Sequence, residues 1–168
     1  MRIYLLPLAA MSCALAACTA PMAMKDEGRV VPLVNGGGQG VGTVTIVDTS
    51  AGTTVRLTVR GLPAGEHGVH LHSSGRCDGP DFKSAGPHWN PAGRQHGHLN
   101  PQGAHVGDLP NFSISSLDVA TIDFAVGELS NPDGISLVIH ARPDDYRTDP
   151  SGSSGDRIAC AVINPPAG

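Results

Sequence analysis

With 168 residues and 40% hydrophobic content, the chain is long enough for one domain with a real core and too short for two comfortable ones. Its 22 glycines and 14 prolines exceed what a helical protein carries and fall short of low-complexity disorder, so many turns joining short strands are expected. A formal net charge of −4 argues against a nucleic-acid partner.

The N-terminus reads as an export signal over residues 1–17. Arg2 supplies a positive start, Ile3 to Ala17 is nearly all apolar, and small residues crowd the end. That run is shorter than the roughly 20 residues a spanning helix needs, so removal is expected. Leu15-Ala16-Ala17-Cys18 is similar to the lipobox of bacterial lipoproteins, which would make Cys18 the lipidated first residue of the mature chain; ordinary cleavage after Ala16 or Ala20 is the alternative. Thr19 after the cysteine, rather than Asp, points to the outer membrane of a Gram-negative cell. Residues 18–27, with Met22, Met24 and Lys25-Asp26-Glu27, read as a lipidated start and tether, the methionines as plain tether residues rather than Cu(I) ligands. The folded domain is placed at 28–168. Cys13 leaves with the signal and lipid would occupy Cys18, so Cys77 and Cys160 can pair in an oxidising compartment; two unpaired buried cysteines are the alternative.

Strand signals follow. Val30 to Val34, Val41 to Val47 and Thr53 to Arg60 are rich in β-branched residues, and Val44/Ile46 and Val55/Leu57/Val59 alternate with polar neighbours. Asn35-Gly36-Gly37-Gly38 and Asp48-Thr49-Ser50-Ala51-Gly52 suit hairpin connections. Further strands are predicted at Val69 to Leu71, Leu117 to Val126, Ile135 to Ala141 and Arg157 to Ile163, and no stretch of the mature chain holds a helical repeat. This is the rhythm of an all-β antiparallel sandwich or barrel. Ser73 to Asn111 and Arg142 to Asp156 break it, being long, rich in Gly, Pro and Asp, and without strand pattern; loops of that length in a compact domain are usually functional.

All eight histidines lie between His67 and His140. His70 and His72 are two apart in a strand, so both imidazoles point to one face. His88, His96, His105 and Asp108 follow in the long loop, where irregular backbone can fold around an ion, and His140 arrives near the end of an apolar strand. An all-nitrogen tetragonal set suits copper, whereas histidines with one carboxylate in a tetrahedron suit zinc. Two four-coordinate ions need more ligands than these residues supply unless one is shared, and a histidine can be shared through its two ring nitrogens. His98 is read as an exposed loop histidine and His67 as a packing or hydrogen-bonding residue.

His67-Gly68-Val69-His70-Leu71-His72, Ala85-Gly86-Pro87-His88-Trp89-Asn90-Pro91, His96-Gly97, His105-Val106-Gly107-Asp108-Leu109 and Asp156-Arg157-Ile158-Ala159-Cys160 resemble the signature segments of copper/zinc superoxide dismutases, over about Arg29 to Ile163. The resemblance implies copper on His70, His72, His88 and His140, zinc on His88, His96, His105 and Asp108, and His88 as the bridge. It also implies an immunoglobulin-like Greek-key sandwich, a Cys77–Cys160 disulfide, Arg157 as the substrate-guiding residue and Asp144 as the carboxylate linking ligands of the two ions. Two features depart from the family pattern: Val69 stands where an aromatic is common, and the loop from Asp144 to Asp156 is short.

The implied activity is dismutation of superoxide to oxygen and hydrogen peroxide, protecting the cell envelope, with His88 as a local acid. The mature chain would carry ten Lys and Arg against 15 Asp and Glu, which looks wrong for capturing an anion. Screening beyond roughly 8 to 10 Å leaves the local field of Arg157 and the metal in control. Arg142 and Arg147 are read as solvated loop residues. The rival readings are a copper-binding or copper-delivery module without turnover, which would need neither the zinc set nor Arg157, and a zinc hydrolase, for which no general base is evident. Dimer contacts vary in the family, so a homodimer is left open.

Overall fold

The computed structural model describes residues 28–50, 52–115 and 119–168. The export signal, Cys18, the tether with Met22 and Met24, and Leu117 lie outside the described residues. Among the described residues eight strands run β1 (Arg29–Asn35), β2 (Gly40–Thr49), β3 (Gly52–Val59), β4 (Gly65–His72), β5 (Asp108–Ile114), β6 (Ala120–Val126), β7 (Ile135–His140) and β8 (Arg157–Asn164). The only helical element among the described residues is a single 3₁₀ turn, Lys83–Ala85. Every strand pairing is antiparallel. The order β5-β4-β7-β8-β1-β2-β3-β6 brings the end strands β5 and β6 into contact, so the sheet nearly closes into a barrel. The β3–β4 and β6–β7 connections cross between non-neighbouring strands, as a Greek key requires.

The alternation read from the sequence sets the core. Val44 and Ile46 of β2, Val55, Leu57 and Val59 of β3 and Leu33 of β1 turn inward and are buried, while Thr43, Arg56 and their neighbours line the outer face. At the first hairpin the Asn35 side-chain oxygen accepts from the N–H groups of Gly37 and Gln39, both at 3.0 Å. Gly38 supplies the left-handed residue, φ +77°, that such a turn needs.

β5 corrects the sequence reading, which assigned its first half to a long loop. Asp and Pro are depleted in strands, so Asp108-Leu109-Pro110-Asn111 conceals the inward Phe112 and Ile114 that follow. β5 stands at one end of the strand order, and an edge strand tolerates Pro110 because its missing N–H need not serve a ladder. Asp108 therefore opens a strand paired to His70 rather than lying in irregular backbone. β4 begins earlier than expected, at Gly65, and β6 later, at Ala120.

Candidate metal centre

β4 and β7 are neighbours, with His70 opposite Val138 and His72 opposite Ser136. Val69, Leu71, Leu137 and Ile139 enter the core. The pleat therefore sends His70, His72, Ser136, Val138 and His140 to the other face. That face is not open to solvent. The segments 73–107 and 141–156 cover it, which is why all six residues of β7 and the last six of β4 are buried. The disulfide Cys77–Cys160 ties the first covering segment to β8, and Phe82 and Ala85 pack with Val138 and Cys160 in a small core beneath it.

Backbone bonds bring the loop histidines to the strand histidines. Trp89 N–H donates to the Leu71 carbonyl (2.8 Å), Leu71 N–H to Gly107 (2.8 Å) and Gly107 N–H to Trp89 (2.9 Å), setting His88 beside His72. Gly107 has to be glycine, since a Cβ would collide with the Leu71 carbonyl. Asp108 Oδ2 accepts from Gly97 N–H (2.9 Å) and His105 N–H (3.0 Å), which fixes the carboxylate and turns Oδ1 toward the histidines.

The result is two contiguous groups. In the first, ring nitrogens of His70, His72, His88 and His140 lie within 4.8 Å of one another. Each of three rings donates its far N–H to a fixed acceptor: His70 Nε2 to Asp144 (2.9 Å), His72 Nδ1 to the Gly86 carbonyl (2.8 Å) and His140 Nδ1 to the Gly155 carbonyl (3.1 Å). The opposite nitrogens must then carry lone pairs. Among the described residues, His70 Nδ1, His72 Nε2, His88 Nε2 and His140 Nε2 are all buried without a hydrogen-bond partner, as is Ser136 Oγ on the same face. An unsatisfied buried polar atom costs about 1–3 kcal/mol, so four converging acceptors suit a bound cation.

In the second group Asp108 Oδ1 lies 2.8 Å from His88 Nδ1, 3.0 Å from His96 Nδ1 and 3.0 Å from His105 Nδ1, and the last is 3.4 Å from His88 Nδ1. A tetrahedral zinc site with ligands at about 2.0 Å has edges of about 3.3 Å, close to these spacings. His88 contributes a different nitrogen to each group. Asp144 joins them, with Oδ2 accepting from His70 and Oδ1 from His96 Nε2 at 2.9 Å. The cluster His70, His96, Asp144 is thus a hydrogen-bonded link between the groups, because both rings turn their other nitrogens to those groups.

A family model for copper/zinc superoxide dismutase (SODC) matches residues 41–163. The chain belongs to the copper/zinc superoxide dismutase family. It is 42% identical to superoxide dismutase [Cu-Zn] 2 of Aquifex aeolicus, over 78% of this chain and 83% of that protein. With superoxide dismutase [Cu-Zn] of Caulobacter vibrioides it shares 41% identity, over 76% and 80%. Among solved structures, the Cu/Zn superoxide dismutase of Brucella abortus superposes with a TM-score of 0.66 at 29% identity, covering 82% of this chain and 99% of that one. A SOD-like protein from Bacillus subtilis gives 0.76 at 35%, covering 81% and 99%.

Copper and zinc are the ions of this family, and electrostatics prepares both groups for cations. Burial lowers the imidazolium pKa of His88 to about 4 and of His140 to about 3, with repulsion from His70 adding to each. Burial likewise lowers His70, and lowers His72 well below the usual value. The first group is therefore neutral, the form in which imidazole can ligate a metal. His96 goes the other way: burial lowers its pKa, but hydrogen bonds to Asp108 and Asp144 outweigh that and raise it to about 9. For the two carboxylates burial acts upward and is overcome by hydrogen bonds from His88 and His96 to Asp108 and from His70 and His96 to Asp144, which hold both well below the usual range.

Arg157 reaches the same centre from β8, donating from Nη1 to Phe82 O (2.7 Å) and Nη2 to Gly86 O (2.8 Å). The Gly86 carbonyl also orients His72. Arg157, Lys83, Asp81 and Asp156 line a cleft of about 500 Å³ that includes Gly155, the residue orienting His140. Arg142 and Arg147 are exposed and donate to Ser153 and Leu99 carbonyls. His98 is exposed and donates to the Asp108 carbonyl (2.6 Å), outside the metal groups found among the described residues. His67 is buried between the His140 and Pro63 carbonyls.

Sequence reasoning missed Asn111 and Tyr146. Asn111 Nδ2 donates to the Asp144 carbonyl (2.9 Å) while its Oδ1 accepts Asp144 N–H (2.8 Å). Tyr146 N–H donates to Asp144 Oδ1 (2.6 Å), and its hydroxyl accepts Asn111 N–H (2.7 Å). Both sit in stretches where polar residues are common, and only the fold reveals that Asn111 clamps the Asp144 backbone while Tyr146 N–H holds its carboxylate.

Proposed function

We propose that this chain dismutes superoxide to oxygen and hydrogen peroxide, with copper held by His70, His72, His88 and His140 and zinc by His88, His96, His105 and Asp108. The observation that carries the reading is the convergence of four buried, neutral imidazoles on one point with their lone pairs unpartnered. When bound, copper supplies one-electron cycling, oxidising one superoxide and reducing a second, while zinc fixes the loop ligands.

The residues supply the rest. His88 bridges, since its two nitrogens serve one group each, and its Nε2 can hold the proton that peroxide formation requires. Asp144 orients His70 and His96 by taking one N–H from each, which couples the geometry of the two groups. Arg157 attracts the anion into the cleft; half-buried, it keeps its charge close to the centre rather than in screening solvent. Export through residues 1–17, lipid on Cys18 and a tether to residue 27 would set the domain, residues 28–168, on the envelope side of a bacterial membrane. The Cys77–Cys160 disulfide suits such an oxidising compartment.

Metal analysis paired with a superoxide assay tests the reading. Copper and zinc near one each per chain, with copper-dependent consumption of superoxide, are expected. Because a relative of this fold is described only as SOD-like, turnover itself must be measured. Bound copper without turnover would instead make the chain a copper-binding module.

A further inference from the structure

The zinc-type group is closed on most sides. The side chains of His96 and Asp108 are fully buried, and the remaining exposure belongs to His88 at 4% and His105 at 8%. Both line the floor of a groove of about 610 Å³ between the segment around Trp89 and Asn90 and the loop around Ser130 to Asp133. His70, His72 and His140 are not among its lining residues. We propose that zinc enters and leaves its cage through this groove, independently of the cleft at Arg157; the inference rests on the second group being the zinc site.

Size and charge support this route. A cation with six waters at about 30 Å³ each occupies roughly 180 Å³, so the groove admits it hydrated. Among the described residues the groove wall offers the Asp133 carboxylate and no lysine or arginine, whereas the Arg157 cleft carries two cations beside two carboxylates. A divalent cation therefore meets net attraction in the groove and Arg157 in the cleft. The outer wall is held in place: Asn131 Nδ2 donates to the Ser73 carbonyl (2.8 Å) and the Gly134 carbonyl (2.7 Å), and Asn164 Nδ2 to Leu129 (2.8 Å). Passage then depends on groove width more than on loop opening.

The test uses the metal-loaded full chain and follows release of zinc and of copper to excess chelators, re-uptake of zinc by the stripped chain, and zinc affinity by competition. Ser130 is exposed, so Ser130→Trp narrows the groove without touching the cage. It should slow zinc release and uptake by the same factor, tenfold or more, with zinc affinity and copper release unchanged. Asp133→Lys should slow zinc uptake several-fold at low salt and lose that effect at about 0.5 M salt, where charges are screened within a few ångströms. Wild-type zinc rates in both variants, an equal change in copper release, or altered zinc affinity in Ser130→Trp would overturn the route. Wild-type chain that binds no zinc would instead remove the assignment of the second group, and the route with it.

Discussion

Replacing Asp144 by asparagine separates the orienting role of this carboxylate from its bulk. The side chain is isosteric, and its backbone stays clamped by both polar atoms of Asn111. What changes is the donor pattern. As a carboxylate, Asp144 accepts N–H from His70 and from His96, each at 2.9 Å. An amide has one accepting oxygen, so its NH₂ must face one of the two rings. That ring is driven to the opposite tautomer, and its proton moves to Nδ1, the atom aimed at a metal group. Loss of such a hydrogen-bonded partner typically weakens metal binding 10- to 100-fold, or about 1.4–2.8 kcal/mol. Competition titration with chelators of known affinity should show one metal weakened by that factor in Asp144→Asn and both weakened in Asp144→Ala. Wild-type affinity for both metals in both variants would refute the claim that Asp144 orients the two groups.

Arg157→Ala should lower the rate of superoxide consumption about tenfold or more, with a shallower dependence on ionic strength and both metals retained; metal loss would make its contacts to the Phe82 and Gly86 carbonyls the dominant role. Joint replacement of Cys77 and Cys160 by alanine removes a cross-link spanning 83 residues. Chain entropy then sets an upper cost of about 4.5 kcal/mol, and calorimetry should record a Tm lower by roughly 10 °C. The metal-free chain should be most stable near pH 6.5. Histidines lowered to about 4 and 3, His88 and His140, contribute stability that is complete above the unfolded value of about 6.5 and is lost as pH falls. His96, raised to about 9, contributes stability that is complete below about 6.5 and is lost as pH rises to 9. A Tm that climbs steadily from pH 6.5 to 9 would contradict the pairing of His96 with Asp108 and Asp144. Mass analysis of the mature chain should find a lipid-modified Cys18 at its start, whereas an unmodified start after Ala16 or Ala20 would remove the anchor.

Most members of the two histidine groups were readable before the fold, because they stand out by residue type and short spacing. The two-residue step from His70 to His72 puts both imidazoles on one face of any strand. The alternation in Val44/Ile46 and Val55/Leu57/Val59 marks core strands for the same geometric reason. β5 was harder to see, since its start is made of residues chosen for the site and the sheet edge rather than for strand propensity. Asp108 spends its strand position on a carboxylate that meets His88, His96 and His105, and Pro110 is tolerated there because one side of β5 has no neighbour in the sheet order of the described strands.

What the chain alone determined is the inventory: one all-β domain, seven metal-capable residues and two cysteines able to pair. Tertiary structure decided the assignments that depend on contact. The pairing of β4 with β7 and of Asp108 with His70 brings residues up to 70 positions apart into one centre, and far-side acceptors select which nitrogen of each ring carries the lone pair. Asn111 and Tyr146 matter only because β5 and the loop before β8 meet over Asp144. No local pattern can encode those facts, since a hydrogen bond between distant segments leaves no period in either one.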